Sequence, residues 1–360
     1  MTDKADYQRP PVRVALIGLG RAMFEEHLPV FKKHPALFKV VAACDVFKDR
    51  RDLVKQDFPE CKMFRQFQDM LDERDIDLVD IATPTSTHVS DAVRALNTGR
   101  WTLVESPMAT TPEDAQILRG AAAKNRNRLI VFQRGMFAPD YLLAKAAMAD
   151  TRLGEIHSIQ IRLHDYVRRD DWQCIKRLGG GACYYVLPDL IMQALKLLPM
   201  PPFQIWSDLK RVASLGDAED YVKLNIKTRG PASAEVEYSG GVIPGERSPS
   251  FRILGDRGVF TVESGAKEGV VRAIDPGFKF PRRRSSVRTP PLGNLHEDLP
   301  IAEFAVKLPP DTLSGHSAFW RHVYDSVRTA VPFPVALDDS IEAIKLAYLM
   351  KKTSPFWGGK

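Results

Sequence analysis

Gly18-Leu19-Gly20-Arg21-Ala22-Met23 directly follows the run VRVALI and directly precedes a helical stretch. In that setting the residue types suit a phosphate-binding turn. Gly18 permits the tight bend, Gly20 lets backbone approach a pyrophosphate, and free N–H groups at the helix start meet its charge. Leu19, Arg21 and Ala22 complete the turn and are expected against the same ligand. Asp45 closes the next strand, 25 residues past Gly20. A carboxylate there accepts hydrogen bonds from adenosine ribose hydroxyls and repels a 2′-phosphate, which points to NAD in preference to NADP. Met23 stands where Gly or Ala ordinarily lets helix and strand pack closely, so a slightly displaced helix is expected. The alternative is a plain strand-to-helix turn, with Asp45 capping the following helix.

Other chemistries find less support. Cys44, Cys61, Cys174 and Cys183 form no C-x-x-C pair, and the eight histidines show no metal-ligand spacing, so no metal site is expected. Reduced, mostly buried thiols suit a cytoplasmic protein. Lys plus Arg is 51 against 45 for Asp plus Glu, a formal charge of +6 scattered along 360 residues, too little to argue a nucleic-acid partner. The sharpest cluster, Arg282, Arg283, Arg284 and Arg288, lies between prolines and reads as a solvated loop. Met1 to Pro11 lacks the apolar stretch of a secretory signal. The most apolar segment, Ala182 to Met200, is interrupted by Asp189, Gln193 and Lys196, so no membrane partner is expected.

The elements that must position the turn and its acid alternate in kind. From Val12 to Gln133, the runs VRVALIG, FKVVAACD, LVDIATP, WTLVES and RLIVFQ are separated by helical patterns at 25–33, 50–57, 67–72, 88–97 and 112–124. This is the signature of a doubly wound parallel sheet of the Rossmann type. Thr111 is placed to cap the last of these helices, with Pro112 in its first turn. After about Pro139, IHSIQIRLH, DYVKLNIKT, SAEVEYS, SFRILG and GVFTVES succeed one another mostly without helices, which predicts a mostly antiparallel sheet. Helices are expected at 186–198, 317–330 and 338–352, and the proline-rich stretch 276–315 as an irregular excursion, an arm or a subunit contact. The expected division is an α/β domain over 1–137 and an α+β domain over 138–360.

With these motifs in order, the chain resembles the Gfo/Idh/MocA oxidoreductases nearly end to end. The markers are GLGRAMFEEHLPVF, Asp45, IATPTSTH (Ile81 to His88), VESP (Val104 to Pro107), FQRGMFAPD (Phe132 to Asp140), RRDDWQ (Arg168 to Gln173) and GGGACYYVLPD (Gly179 to Asp189). The resemblance implies hydride transfer between a nicotinamide ring and a carbon of a sugar or polyol. It also implies a second domain whose open sheet joins subunits into a homo-oligomer. It places Thr83, Pro84 and His88 on the cofactor, with His88 beside the adenine-side loop and not in proton transfer. It puts Glu105 near the nicotinamide carboxamide, Gln133 on the nicotinamide side of the cleft, and the region of Trp172 close to the cofactor; the other reading of Trp172 is a core aromatic.

The resemblance also implies an altered centre. The family's Glu-Lys-Pro reads Glu105-Ser106-Pro107 here, and Tyr185 and Asp189 stand where an Asp or Asn and a His are usual. Ser106 alone cannot take a hydroxyl proton. Asp189 can if desolvation raises its pKa, and Tyr185 can relay one if a cation such as His164, Arg168, Arg169 or Lys176 lowers its own. If one helix runs back to Tyr185, the two share a face, although Pro188 belongs in a first turn. The alternative for both is structural, an aromatic packed in a cleft and an acid at a helix start. Three functions follow: an oxidoreductase with an atypical proton-transfer centre, a non-catalytic cofactor or sugar sensor, and an NAD-dependent elimination or glycoside-cleaving enzyme.

Overall fold

The structure is a computed structural model that describes residues 9–246, 248–280 and 298–358. Val12–Ile17 (β1), Leu28–Lys33 (α1), Phe38–Cys44 (β2), Lys48–Asp57 (α2), Lys62–Phe64 (β3), Phe67–Leu71 (α3), Leu78–Ile81 (β4), His88–Asn97 (α4), Trp101–Glu105 (β5), Pro112–Lys124 (α5) and Leu129–Phe132 (β6) build the first layer system. The strands form one parallel sheet in the order β3-β2-β1-β4-β5-β6. Helices cover both faces, so β1, β4 and β6 are nearly continuous apolar runs with almost no exposed position. Thr111 caps α5 as its type requires, accepting the Asp114 N–H at 3.1 Å. The strand order reverses between β2 and β4 on either side of β1, which opens a crevice at the carboxyl ends of the strands.

A short helix, Pro139–Ala147 (α6), leads into Ile156–His164 (β7). Ala182–Tyr185 (α7) and Leu187–Leu197 (α8) follow, then Pro202–Lys210 (β8), Tyr221–Thr228 (β9), Ser233–Ser239 (β10), Phe251–Gly255 (β11), Gly258–Val262 (β12), Glu268–Ile274 (β13) and Ile301–Lys307 (β14). These strands form an eight-stranded sheet in the order β14-β13-β12-β11-β7-β10-β9-β8. All neighbours are antiparallel except β7 and β10. Alternate residues of β7, β9 and β10, such as Ile161, Leu224 and Val236, bury one face of this sheet against α6 and α8. The chain is thus a parallel α/β unit joined to a mostly antiparallel α+β unit. No helix among the described residues is long and apolar enough to cross a membrane.

Gly315–Thr329 (α9) returns to the first sheet, where Phe319, Trp320 and Tyr324 pack with Phe31, Phe38 and Phe132 in one core. Leu337–Thr353 (α10) packs against both α8 and α5. The stretch expected as irregular over 276–315 contains β14, a regular edge strand. Its arginine cluster lies outside the described residues.

Candidate active site

Where the two units meet, a cleft of about 1510 Å³ runs from the mouth of β2 to the inner face of the second sheet. Its size exceeds what one small ligand needs and accommodates a dinucleotide and a second molecule. The glycine turn lines its middle. Gly18 has φ +83°, and a Cβ there would lie 2.5 Å from the Thr83 N atom, so only glycine fits between β1 and the loop after β4. At Gly20 a Cβ would meet nothing within 4 Å, because this peptide faces the open cleft. An open, side-chain-free backbone at the start of a helix is what a pyrophosphate requires. Met23, wholly buried, opens a π-wound turn over Met23–His27.

Asp45 is 7% exposed and lines the cleft. Its Oδ2 accepts the Leu19 N–H at 2.8 Å and its Oδ1 the Phe47 N–H at 2.8 Å, which ties the acid to the glycine turn and to the start of α2. Oδ1 retains a second lone pair for a ribose hydroxyl. Arg50 reaches Oδ2 at 3.5 Å while stacking on Phe47. Asp45 is therefore both the structural brace of the alternative reading and an available ligand. Arg21 crosses the cleft to Asp171 at 2.9 Å and to Gln173 at 3.1 Å, linking the turn to the segment that bears Trp172. Ala22, Thr83, Pro84, Glu105, Ser106 and Trp172 all line the cleft, and Trp172 is half-buried there, not in the core. His88 lines it too, but its ring nitrogens meet the carbonyls of Pro107 at 2.9 Å and Thr83 at 2.7 Å. It braces backbone and has no nitrogen free for proton transfer.

Gln133 does not line the cleft, contrary to expectation. It is 2% exposed and turned off the cleft, where its Oε1 accepts the Ser340 hydroxyl of α10 at 2.6 Å. It continues the face of β6 that carries Leu129 and Val131, away from the crevice.

Beyond Glu105 the cleft is lined by Glu26, Arg134, Arg169, Tyr185, Asp189, Gln193 and Tyr238. Tyr185 ends α7, the backbone breaks at Val186, and Pro188 sits in the first turn of α8. Tyr185 and Asp189 therefore do not share one helix, although both face the cleft. The Asp189 Oδ2 accepts the Gly135 N–H at 3.1 Å, while its Oδ1 is buried without a partner. Burial lifts this carboxyl to about 6, opposed by the Gly135 N–H and Arg134 and reinforced by Glu105. Arg169 stacks over the Tyr185 ring at 4.4 Å, Lys176 donates to the Phe356 carbonyl, and His164 pairs with Glu237. Burial and Tyr238 lift the Tyr185 phenol above its usual range, so the condition for a proton relay through Tyr185 is not met. Its hydroxyl lies 3.5 Å from that of Tyr238.

Sequence reasoning missed His27, which sits wholly buried between Asp80 at 2.8 Å and Glu105 at 2.9 Å. Burial works against its charge, but Asp80 and Glu105 prevail and push its pKa up to about 10.

The fold is a Rossmann-type parallel sheet with a glycine turn at its mouth, and the second sheet closes the same cleft. Residues 12–133 match the oxidoreductase family with an NAD-binding Rossmann fold, and residues 141–261 match the GFO/IDH/MocA C-terminal domain. The chain belongs to the GFO/IDH/MocA family of oxidoreductases. It is 29% identical over 194 residues to the uncharacterized oxidoreductase C26H5.09c of Schizosaccharomyces pombe, a match spanning 53% of this chain and 53% of that one, about half of either. It is 21% identical to scyllo-inositol 2-dehydrogenase (NADP(+)) IolW of Bacillus subtilis over 93% of this chain and 91% of that one. Among solved structures, the WlbA dehydrogenase from Bordetella pertussis in complex with NADH and UDP-GlcNAcA shares the fold, with TM-score 0.74, 19% identity and coverage of 95% and 96% of the two chains.

Proposed function

We propose that the chain interconverts an alcohol and a carbonyl on a sugar, sugar derivative or cyclic polyol, using NAD in preference to NADP, with Asp189 as the proton-transfer group. The observation that carries this reading is the buried, unpartnered Asp189 Oδ1 at the cleft, on a carboxyl whose pKa lies at about 6. A base poised near neutrality is what removal of a hydroxyl proton needs. The Gln193 Oε1, also buried and unpartnered, offers a second acceptor one turn along α8. Two acceptors without donors suit a ligand rich in hydroxyl groups.

The glycine turn and Asp45 hold the dinucleotide; when bound, its nicotinamide supplies the hydride acceptor. Asp189 takes the hydroxyl proton as the C–H bond gives up hydride and the C=O bond forms, and it returns that proton in the reverse direction. Ser106 and Tyr185 line the site and orient substrate hydroxyls. Trp172 and the Arg21 link close the cleft over the cofactor. The names of the relatives, an inositol dehydrogenase and a dehydrogenase solved with a nucleotide-sugar acid, support a polyhydroxylated substrate. The outer face of the eight-stranded sheet is the proposed subunit contact, in a reducing, cytoplasmic setting that suits four unpaired cysteines.

The test is a panel of sugars, sugar acids and inositols with NAD, followed by the absorbance of reduced nicotinamide. Turnover that Asp189→Asn abolishes supports the reading; turnover that survives it overturns the role of Asp189. A sensor is the second reading, favoured by the bonds from Asp189 and Gln193 to Gly135, which give both residues a structural task. Ligand binding without turnover across the panel supports it.

A further inference from the structure

One buried charged cluster takes no part in proton transfer at Asp189. Asp80 lies in the middle of β4, whose four residues are all buried. Its Oδ2 accepts the His27 Nδ1–H at 2.8 Å, and the Glu105 Oε1 accepts the Nε2–H at 2.9 Å. The His27 and Asp80 side chains are 0% exposed, whereas Glu105 is 16% exposed at the cleft. Phe132, its ring centroid 4.4 Å from that of His27, and Trp320 close over the imidazole.

Each ring nitrogen faces a carboxylate oxygen, so each of the two gaps must hold a hydrogen. Two hydrogens shared among one imidazole and two carboxylates leave a single net negative charge, wherever each proton resides. That charge is not cancelled locally. The second oxygen of Asp80 has no partner, and the second oxygen of Glu105 accepts the neutral Ser106 N–H at 3.0 Å. Arg134, a cation at the same end of the cleft, is engaged by Glu26 at 3.3 Å. Burying such a set carries a desolvation cost that its own ion pairs need not repay.

The sheet order indicates what it acts on. Asp45 directly follows β2 and the glycine turn follows β1, so a dinucleotide running from one across the other continues over β4 toward β5, whose last residue is Glu105. We propose that Asp80, His27 and Glu105 set the charge felt by the nicotinamide, presenting a fixed carboxylate and one net negative charge that hold the cationic, oxidised ring more tightly than the neutral, reduced one. His27 and Asp80 act as positioning residues behind Glu105. This rests on the nicotinamide reading given above.

The experiment is calorimetric titration of the full chain with NAD+ and with NADH, for the unaltered protein, Asp80→Asn and Glu105→Gln. Asp80 lies outside the cleft, so Asp80→Asn alters no contact surface. Without Asp80, burial drives the extra proton off His27 and the charge stays on Glu105, whereas Glu105→Gln leaves the charge on Asp80, away from the cleft. In Glu105→Gln the ratio of the two dissociation constants shifts toward NADH by about fivefold, the scale of one partly screened charge at this range, and in Asp80→Asn it moves less. Damage to the fold weakens both forms together and leaves the ratio in place, so a ratio unmoved in Glu105→Gln overturns the proposal while the cofactor reading stands. If the unaltered chain binds neither form, the cofactor reading fails and the proposal with it. Should Asp80→Asn fail to fold, Glu105→Gln, at the cleft edge, decides.

Discussion

Asp189 and Gln193, one turn apart on α8, grip opposite ends of one residue: the Gly135 N–H donates to Asp189 at 3.1 Å, and the Gln193 amide donates to the Gly135 carbonyl at 2.8 Å. Gly135 lies just past β6, so this clasp fixes the second unit of the chain to the first. It also fixes where the free Asp189 oxygen stands in the cleft.

Asp189→Asn separates the two tasks. Asparagine keeps an oxygen for the Gly135 N–H but cannot take a proton, so turnover falls by about a hundredfold or more. In the unaltered chain, activity rises with pH through about 6, because the carboxylate is the working form. The folded-state pKa lies above its ordinary 3.8, so the folded chain loses stability as pH rises from there to about 6. Above pH 6 the variant is therefore as stable as the unaltered chain or more so. A pH profile of kcat/KM and a thermal melt at pH 8 check both halves.

Gly18 and Gly20 differ in what a methyl group would do. At Gly18 it meets backbone at 2.5 Å in a left-handed conformation, so Gly18→Ala lowers the melting temperature and costs about 1–3 kcal/mol. At Gly20 it meets only open cleft. Gly20→Ala leaves the melt unchanged and weakens dinucleotide affinity at least tenfold by standing where a phosphate must approach. Melting and titration of the two variants give opposite patterns.

His27 yields a direct spectroscopic expectation. With its pKa pushed up to about 10 by Asp80 and Glu105, which outweigh burial, its contribution to stability is complete below its ordinary 6.5 and is lost as pH rises through about 10. Lys351 runs the other way. Burial lowers it to about 8, so its contribution grows from there toward 10.5. The two oppose each other in a melt. Nitrogen chemical shifts of His27 are the cleaner measurement, with both ring nitrogens carrying hydrogen from pH 6 to 9.

Five of the six strands of the first sheet were legible because they alternate with five helices, and α4 and α5 span the residues their periodicity indicates; β3, three residues long, escaped. Strand β8 escaped because it is an edge strand with few buried positions, and β14 because its alternation is short and lies among prolines. The triad escaped because 53 and 78 residues separate its hydrogen-bonded partners, so no spacing joins them. One signal was present: Asp80 interrupts an otherwise apolar parallel strand, and an acid there requires a buried partner.

Gln133 was misplaced although parity could have placed it. Leu129 and Val131 face α5 and α10, Ile130 and Phe132 face the aromatic core, and Gln133 follows the first set. Gln133→Ala removes the acceptor of the Ser340 hydroxyl and costs about 1–2 kcal/mol, with dinucleotide affinity unchanged. Chemical denaturation and a titration show the two effects apart.

The proposed preference for NAD turns on Asp45 and its neighbour Arg50. Asp45→Ser removes the charge that repels a 2′-phosphate and leaves Arg50, half-exposed and stacked on Phe47, free to meet one. NAD affinity falls about tenfold with loss of the ribose acceptor, and NADP affinity rises by a similar factor. The gain depends on a partly exposed cation, so it shrinks as salt is raised and disappears in Asp45→Ser with Arg50→Ala. The N–H groups of Leu19 and Phe47 lose a charged acceptor, so the single variant also melts earlier, by about 1–2 kcal/mol of stability. Titrations with both dinucleotides at two salt concentrations decide the matter, and an Asp45→Ser protein that binds NAD as tightly as before removes Asp45 from the ribose.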